Sequence, residues 1–259
     1  MSKIWKIMAG LVAGAALAMA QPVAVAKQPQ PKSQKEVEAI QALANAADPD
    51  ARIAAAENLL RSFADTEFKV VALQMAAVAA QEKNDFEKMV IYCERTLEAD
   101  PKNFGSMLML ASAIAQRTRE FDLDKEEKLA KAENFAKNAV TAVKEALKPR
   151  PDITDEQWAG AKKDVESQAL EAMGLIAMAR KKYDAAIESF KASIAAGASQ
   201  DPATVVRLAS AYNNAGKFDE ADATVDKLIA DPQLNPVIRQ FAQEEKKKAA
   251  AGKAAATKK

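Results

Sequence analysis

The strongest constraint on this chain is a pattern of apolar and small residues that comes twice in succession near its C-terminal end. Leu170-x-x-Met173-Gly174-x-x-Ala177 is followed by Tyr183, Ala186 and Phe190, and Val205-x-x-Leu208-Ala209-x-x-Tyr212 is followed by Gly216, Phe218, Ala221 and Val225. Apolar residues three and four apart make one face of a helix. A small residue inside that face lets a second, antiparallel helix come close. Gly174 with Ala186, and Ala209 with Ala221, supply the small pairs, and Tyr183, Phe218 and the upstream Phe86 each place an aromatic ring where a second helix begins.

These motifs resemble the tetratricopeptide repeat, a helix-turn-helix unit of about 34 residues. The resemblance implies an all-α fold, a right-handed α-solenoid of antiparallel helix pairs. Counting back from Pro101 places a third unit at 70–103, with Leu73, Ala76, Ala77 and Ala80 on its first helix and Met89, Cys93 and Thr96 on its second. The next unit opens in step at 104 with Met107, Leu110, Ala111 and Ile114. Its second helix comes late, since Ala132 and Ala136 fit only if about nine residues are inserted after Arg117. A weaker pair precedes them, its helices parted by Asp48-Pro49. The resulting organisation is a signal at 1–20, a flexible linker at 21–35 and repeats near 36–69, 70–103, 104–148, 154–201 and 202–235. A cap helix at 236–243 and a disordered Lys/Ala tail at 244–259 complete it.

Two long helices enlarge the middle. Residues 124–147 keep helical spacing through Leu129, Ala132, Ala136, Ala139, Val140 and Val143 until Pro149-Arg150-Pro151 forces a stop. The next helix starts at Thr154, whose side chain pairs with Gln157 in a capping box, and runs to about Arg180. Trp158 stands near the tip of this hairpin. One reading packs it against Val143, Leu147 or Ile153; the other leaves it partly exposed as an anchor for a partner or a second copy.

The N-terminal residues follow a different logic. Lys3 and Lys6 precede an uncharged run from Ile7 to Ala20 that ends in Ala18-Met19-Ala20, the small-x-small pattern of a secretory cleavage site. Ala24-Val25-Ala26 is a second candidate cut. No cysteine follows the run, so a lipid anchor of the bacterial lipoprotein type has no attachment point. The expected location is the periplasm or the extracellular space. The lone Cys93 has no partner for an internal disulfide and sits at a core position. From Glu244 onward six lysines face two acids, a tail suited to weak electrostatic contact with a membrane surface.

The composition also excludes chemistry. There is no histidine, which removes the commonest general base and imidazole metal ligation, and one cysteine cannot build a zinc cluster. No glycine-rich phosphate loop or Gly-x-Ser-x-Gly elbow occurs. Acids such as Asp122, Asp124, Glu126 and Glu127 read as the charged start of a helix. No catalytic residue, metal site or cofactor is expected.

The resemblance implies instead a concave groove lined by the first helix of each pair. Carried onto this sequence, its lining is Gln74, Val78 and Gln81, then Leu108 and Ser112, then Glu171, Leu175 and Met178, then Val206, Ser210, Asn213 and Asn214. Amides and aliphatics together suit a protein or peptide partner. The expected function is a non-catalytic protein-binding scaffold in the cell envelope. Two alternatives are a self-assembling structural protein that uses the long hairpin to form a homo-oligomer, and a broad-specificity carrier or chaperone for envelope substrates. No nucleic-acid specificity is expected.

Overall fold

Prolines and capping side chains mark where the helices start. In the computed structural model, which describes residues 25–198 and 200–257, Ser33 accepts from the backbone N–H of Glu36 at 3.1 Å and opens α1 (Gln34–Ala44). Asp48 accepts from Ala51 N at 2.8 Å ahead of Pro49, which opens α2 (Pro49–Ser62). There follow α3 (Lys69–Glu82), α4 (Phe86–Ala99), α5 (Phe104–Arg117) and α6 (Lys125–Glu145). The capping box expected at Thr154 is present: Thr154 N donates to Gln157 Oε1 at 3.0 Å and Gln157 N donates to Thr154 Oγ1 at 3.1 Å. It opens α7 (Asp155–Ala179), a helix of 25 residues, against 21 in α6. Last come α8 (Tyr183–Ala196), α9 (Pro202–Asn214), α10 (Phe218–Ile229) and α11 (Pro236–Ala256). The expected signal at 1–20 lies outside the described residues, as do 21–24 and 258–259. Among the described residues the fold is all-helical, apart from an isolated bridge between Val25 and Lys148.

Three turns share one backbone design. Asn84 and Lys181 both have φ of 57° and Gly216 has φ of 73°. Each takes a helix end into the left-handed region, and the residue after it donates back five positions: Asp85 N to Ala80 O at 2.8 Å, Lys182 N to Ala177 O at 2.9 Å and Lys217 N to Tyr212 O at 2.9 Å. This is the Schellman closure, which satisfies carbonyls left open at a helix end and reverses the chain at once. An aromatic then opens the following helix each time, Phe86, Tyr183 and Phe218. The turn between α1 and α2 has no left-handed residue, and between α5 and α6 residues 118–124 replace the tight reversal.

The chain divides into two compact units, one of residues up to Leu110 with Asn138–Lys162, the other of Ala111–Lys137 with the residues from Lys163 onward. In the first, α3 packs against α2 and α4, and the stripe Leu73, Ala76, Ala77 and Ala80 is fully buried. Met89 and Cys93 on α4 are fully buried as well. In the second, Ala177, Ala186, Ile187 and Phe190 meet Leu208, Ala211 and Tyr212 in one cluster, while Leu129 and Ala132 join Ala115 and Ile176 in another. Gly174 is where two helices touch: a β-carbon there would come within 2.5 Å of the Phe190 ring.

Both ends of the chain depart from the sequence expectation. The described part of the expected flexible linker is pinned: Ala26 N donates to Lys148 O at 2.9 Å, Gln28 Nε2 to Pro149 O at 2.5 Å, Gln30 N to Glu67 Oε2 at 3.2 Å, and Lys32 Nζ to Asp65 Oδ2 at 2.6 Å. Its polar residues find backbone and carboxylate partners, which proline-rich composition does not disclose. At the other end the expected boundary at 243 vanishes, because α11 continues to Ala256. Ala242, Glu245 and Ala249 form a buried stripe, Gly252 extends it against Phe218, and Lys253 reaches Asp219 at 2.8 Å and Asp222 at 3.0 Å. Small side chains carry little hydrophobicity but let helices pack tightly, so a segment of alanine and lysine found a face on which to fold.

Candidate functional site

The first unit holds four of the expected groove residues and Trp158. Gln81, at the end of α3, is exposed and Val78 is half-buried. Two others are corrected. Gln74 is buried and donates through Nε2 to Asn103 Oδ1 at 2.7 Å, while Asn103 Oδ1 also accepts from Ser106 N at 3.0 Å. Leu108 is 5% exposed. Both serve the interior, because the small residues around them bring the backbones close enough to cover longer side chains. Trp158 is half-buried, and the ammonium of Lys162 lies over its ring at 5.4 Å while donating to Lys144 O at 3.0 Å. A cation over a partly desolvated indole is attractive in itself. Val143 and Ile153 are buried near this tip of the chain, and Leu147 is 51% exposed.

In the second unit, Leu175 and Met178 on α7 are half-buried and pack against the Ala177–Tyr212 cluster, leaving part of each side chain in solvent. Ser112 and Ser210 are half-buried, and Asn214 is exposed, its amide donating to Ser210 O at 2.8 Å. Three expected lining residues are engaged within the fold. Glu171 accepts from Thr204 Oγ1 at 3.0 Å and pairs with Arg207. Val206 packs against the cluster of Ala209, Val225 and Ala242. Asn213 donates to Glu245 O at 2.9 Å and to Glu245 Oε2 at 2.8 Å, so the C-terminal helix takes the hydrogen bonds expected for a ligand.

On the same helix three lysines of the expected free tail find partners. Lys253 binds two aspartates, Lys246 pairs with Asp226, and Lys248 reaches Glu245 at 2.7 Å. These partners hold the ammonium groups of Lys246 and Lys253 above their usual range, chiefly through the hydrogen bonds to Asp226 and to Asp219.

Sequence reasoning missed two features of the second unit. Phe121 and Leu123, in the segment that replaces the tight turn between α5 and α6, are 91% and 106% exposed. An open cleft of about 470 Å³ lies between the start of α8, residues 181–185, and the end of α9 at Asn214 and Ala215. The alternation Glu120-Phe121-Asp122-Leu123-Asp124 was the visible signal for the first; nothing local signalled the second.

Among the described residues no group of three acid, cysteine or histidine side chains is placed to hold a metal ion, and no helix is long and apolar enough to cross a membrane. Cys93 is buried, and that burial pushes its thiol up to about 12.

Paired helices closed by repeated Schellman turns define a helical-repeat protein. Models of the tetratricopeptide repeat match residues 70–103 and 177–243. Among solved structures, a thermophilic tetratricopeptide repeat protein of Thermus thermophilus is 18% identical, with a TM-score of 0.54, over 82% of this chain and 97% of its own. A tetratricopeptide repeat protein of Parabacteroides merdae is 18% identical, with a TM-score of 0.42, over 85% of this chain and 91% of its own. A comparison with curated proteins finds no match. Residues 70–103 and 177–243 are thus similar to tetratricopeptide repeats, which generally serve as scaffolds for protein-protein interaction.

Proposed function

We propose that this protein is a non-catalytic scaffold of the cell envelope that binds a protein or peptide partner, reaching its compartment through a cleaved N-terminal signal. The observation that carries the binding reading is the half-open state of Leu175 and Met178. Each is anchored in the core of the second unit yet keeps apolar surface in water, where a partner's side chain would remove it. Ser210 and the exposed Asn214 offer hydroxyl and amide groups for a partner's backbone. The envelope assignment rests on Lys3, Lys6 and the apolar run from Ile7 to Ala20.

The test uses protein beginning at Gln21 as bait in an envelope extract, beside a variant carrying Met178→Ala and Asn214→Ala whose helicity is checked by circular dichroism. A partner retained by the first and lost by the second is the expected result. Equal retention by both would remove the site from this face. Cell fractionation with a mass measurement of the exported chain checks the compartment separately.

A further inference from the structure

The sequence offers two cuts, after Ala20 and after Ala26, that satisfy the small-x-small pattern equally. They differ by residues 21–26, and the fold treats the last two of these as its own. Val25 forms a parallel bridge with Lys148, between α6 and α7, and Ala26 N donates to Lys148 O at 2.9 Å. Gln28 then clamps the pair, its Nε2 donating to Ala26 O at 2.9 Å and to Pro149 O at 2.5 Å. All of these groups belong to the first unit.

From there the chain is fastened step by step on its way to α1. Lys27 reaches Glu67 at 3.7 Å, Gln30 N donates to Glu67 Oε2 at 3.2 Å, and Lys32 Nζ donates to Asp65 O and to Asp65 Oδ2, each at 2.6 Å. Pro29 and Pro31 lock their own φ and bias the residues before them toward extended backbone, so this strap has little freedom to lose when it docks. A cut after Ala20 keeps it whole. A cut after Ala26 removes the Val25 bridge, takes the N–H from Lys148 O and one acceptor from Gln28, and leaves a charged ammonium at Lys27 N. Lys148 is 8% exposed, and a carbonyl in such a place that loses its donor weakens the fold.

We infer that maturation cuts the chain after Ala20 and that Val25 and Ala26 remain as structural residues of the mature protein. The inference rests on the export reading above and adds which bond is broken. A signal peptidase hydrolyses the Ala20–Gln21 peptide bond, water giving its hydroxyl to the Ala20 carbonyl carbon and its proton to the amine of Gln21. The likeness of Ala24-Val25-Ala26 to a cut site is then incidental.

Peptide mass spectrometry of the protein recovered from the envelope fraction should find a first peptide that begins at Gln21. A first peptide beginning at Lys27 overturns the inference and leaves the export reading standing, whereas a chain that keeps residues 1–20 in every fraction overturns both. Ala26→Asp should leave the Gln21 end in place and Ala20→Asp should abolish it; the reverse pattern assigns the cut to Ala26. Purified chains starting at Gln21 and at Lys27 test the structural role. The shorter chain should melt about 2–4 °C lower, and Gln28→Ala should bring the longer one toward it. Equal melting of the two chains would show residues 21–26 to be idle in the fold and overturn that role.

Discussion

Phe218 and Gly252 are in contact so close that a β-carbon at position 252 would lie inside the van der Waals envelope of the ring. Phe218 begins α10 and Gly252 lies near the end of α11, so this contact fastens the C-terminal helix far beyond its first turns. Gly252→Ala should therefore destabilise the protein by about 1–3 kcal/mol, the usual cost of overpacking, although alanine is the better helix former. Gly160, in α7, meets nothing within 4 Å at the same test position. Gly160→Ala should raise stability by about 0.5–1 kcal/mol. Thermal or urea unfolding of the two variants checks the opposite signs.

Ending the chain at Gln243 removes Glu245, Ala249 and Gly252 from α11 and uncovers Phe218. Loss of that ring's cover alone costs on the order of 1.5–3 kcal/mol. The truncated protein should melt several degrees lower, and limited proteolysis should nick it within α10. An unchanged melting temperature would mean that the far half of α11 adds nothing to the fold.

Glu36 is 1% exposed and accepts from Lys32 N at 2.6 Å and Thr66 Oγ1 at 2.7 Å. Its own N–H is capped by Ser33 Oγ, and its carboxylate ties the residue before that cap to the loop before α3. Glu36→Ala strands a buried hydroxyl and a backbone donor, so a loss of about 1–3 kcal/mol is expected by denaturant unfolding. Glu36→Gln retains one acceptor and should cost less.

Cys93 should be inert toward a thiol reagent at pH 8 in the folded protein and react at once in denaturant. Burial disfavours its thiolate, raising the folded value from 9.0 to about 12. Tyr92 is raised from 10.0 to about 12, again chiefly by burial. A raised value for a group that ionises to an anion means that the unfolded chain loses its proton first. Stability is intact below about pH 9 and falls as pH climbs toward 12. Cys93 accounts for up to about 4 kcal/mol of that fall, at about 1.4 kcal/mol per pKa unit, and alkaline unfolding of wild type beside Cys93→Ala would show its share.

Gly216 holds φ of 73° in its turn, where Lys181 and Asn84 hold 57° in theirs. A β-carbon in that region costs about 1 kcal/mol. Gly216→Ala should lose that much stability and Asn84→Gly should not, a contrast that denaturant melts of both variants can read.

Much of the architecture was legible because it is local. Gly174, Ala186, Ala209 and Ala221 must sit at close helix crossings, Phe86, Tyr183 and Phe218 start helices, and Thr154 with Gln157 caps one, all within a few residues of chain. The candidate groove was less legible. Periodicity says which face of α3 or α9 a residue occupies, but not what comes to lie against it. Gln74 met Asn103, Glu171 met Arg207 and Asn213 met Glu245, partners about thirty residues or more away in each case.

The sequence by itself determined that this is a chain of paired helices, since helix periodicity, caps and small-residue spacing are properties of short segments. Only tertiary structure decided how its ends behave and which side chains face water. The lysine-rich helix owes its order to Asp219, Asp222, Asp226 and Phe218, the N-terminal segment owes its path to Asp65, Glu67 and Lys148, and the acids beside the exposed Phe121 meet Lys125, Lys128 and Lys181. Such partners meet only when the chain has folded, because burial and ion pairing depend on distance in space and not along the sequence.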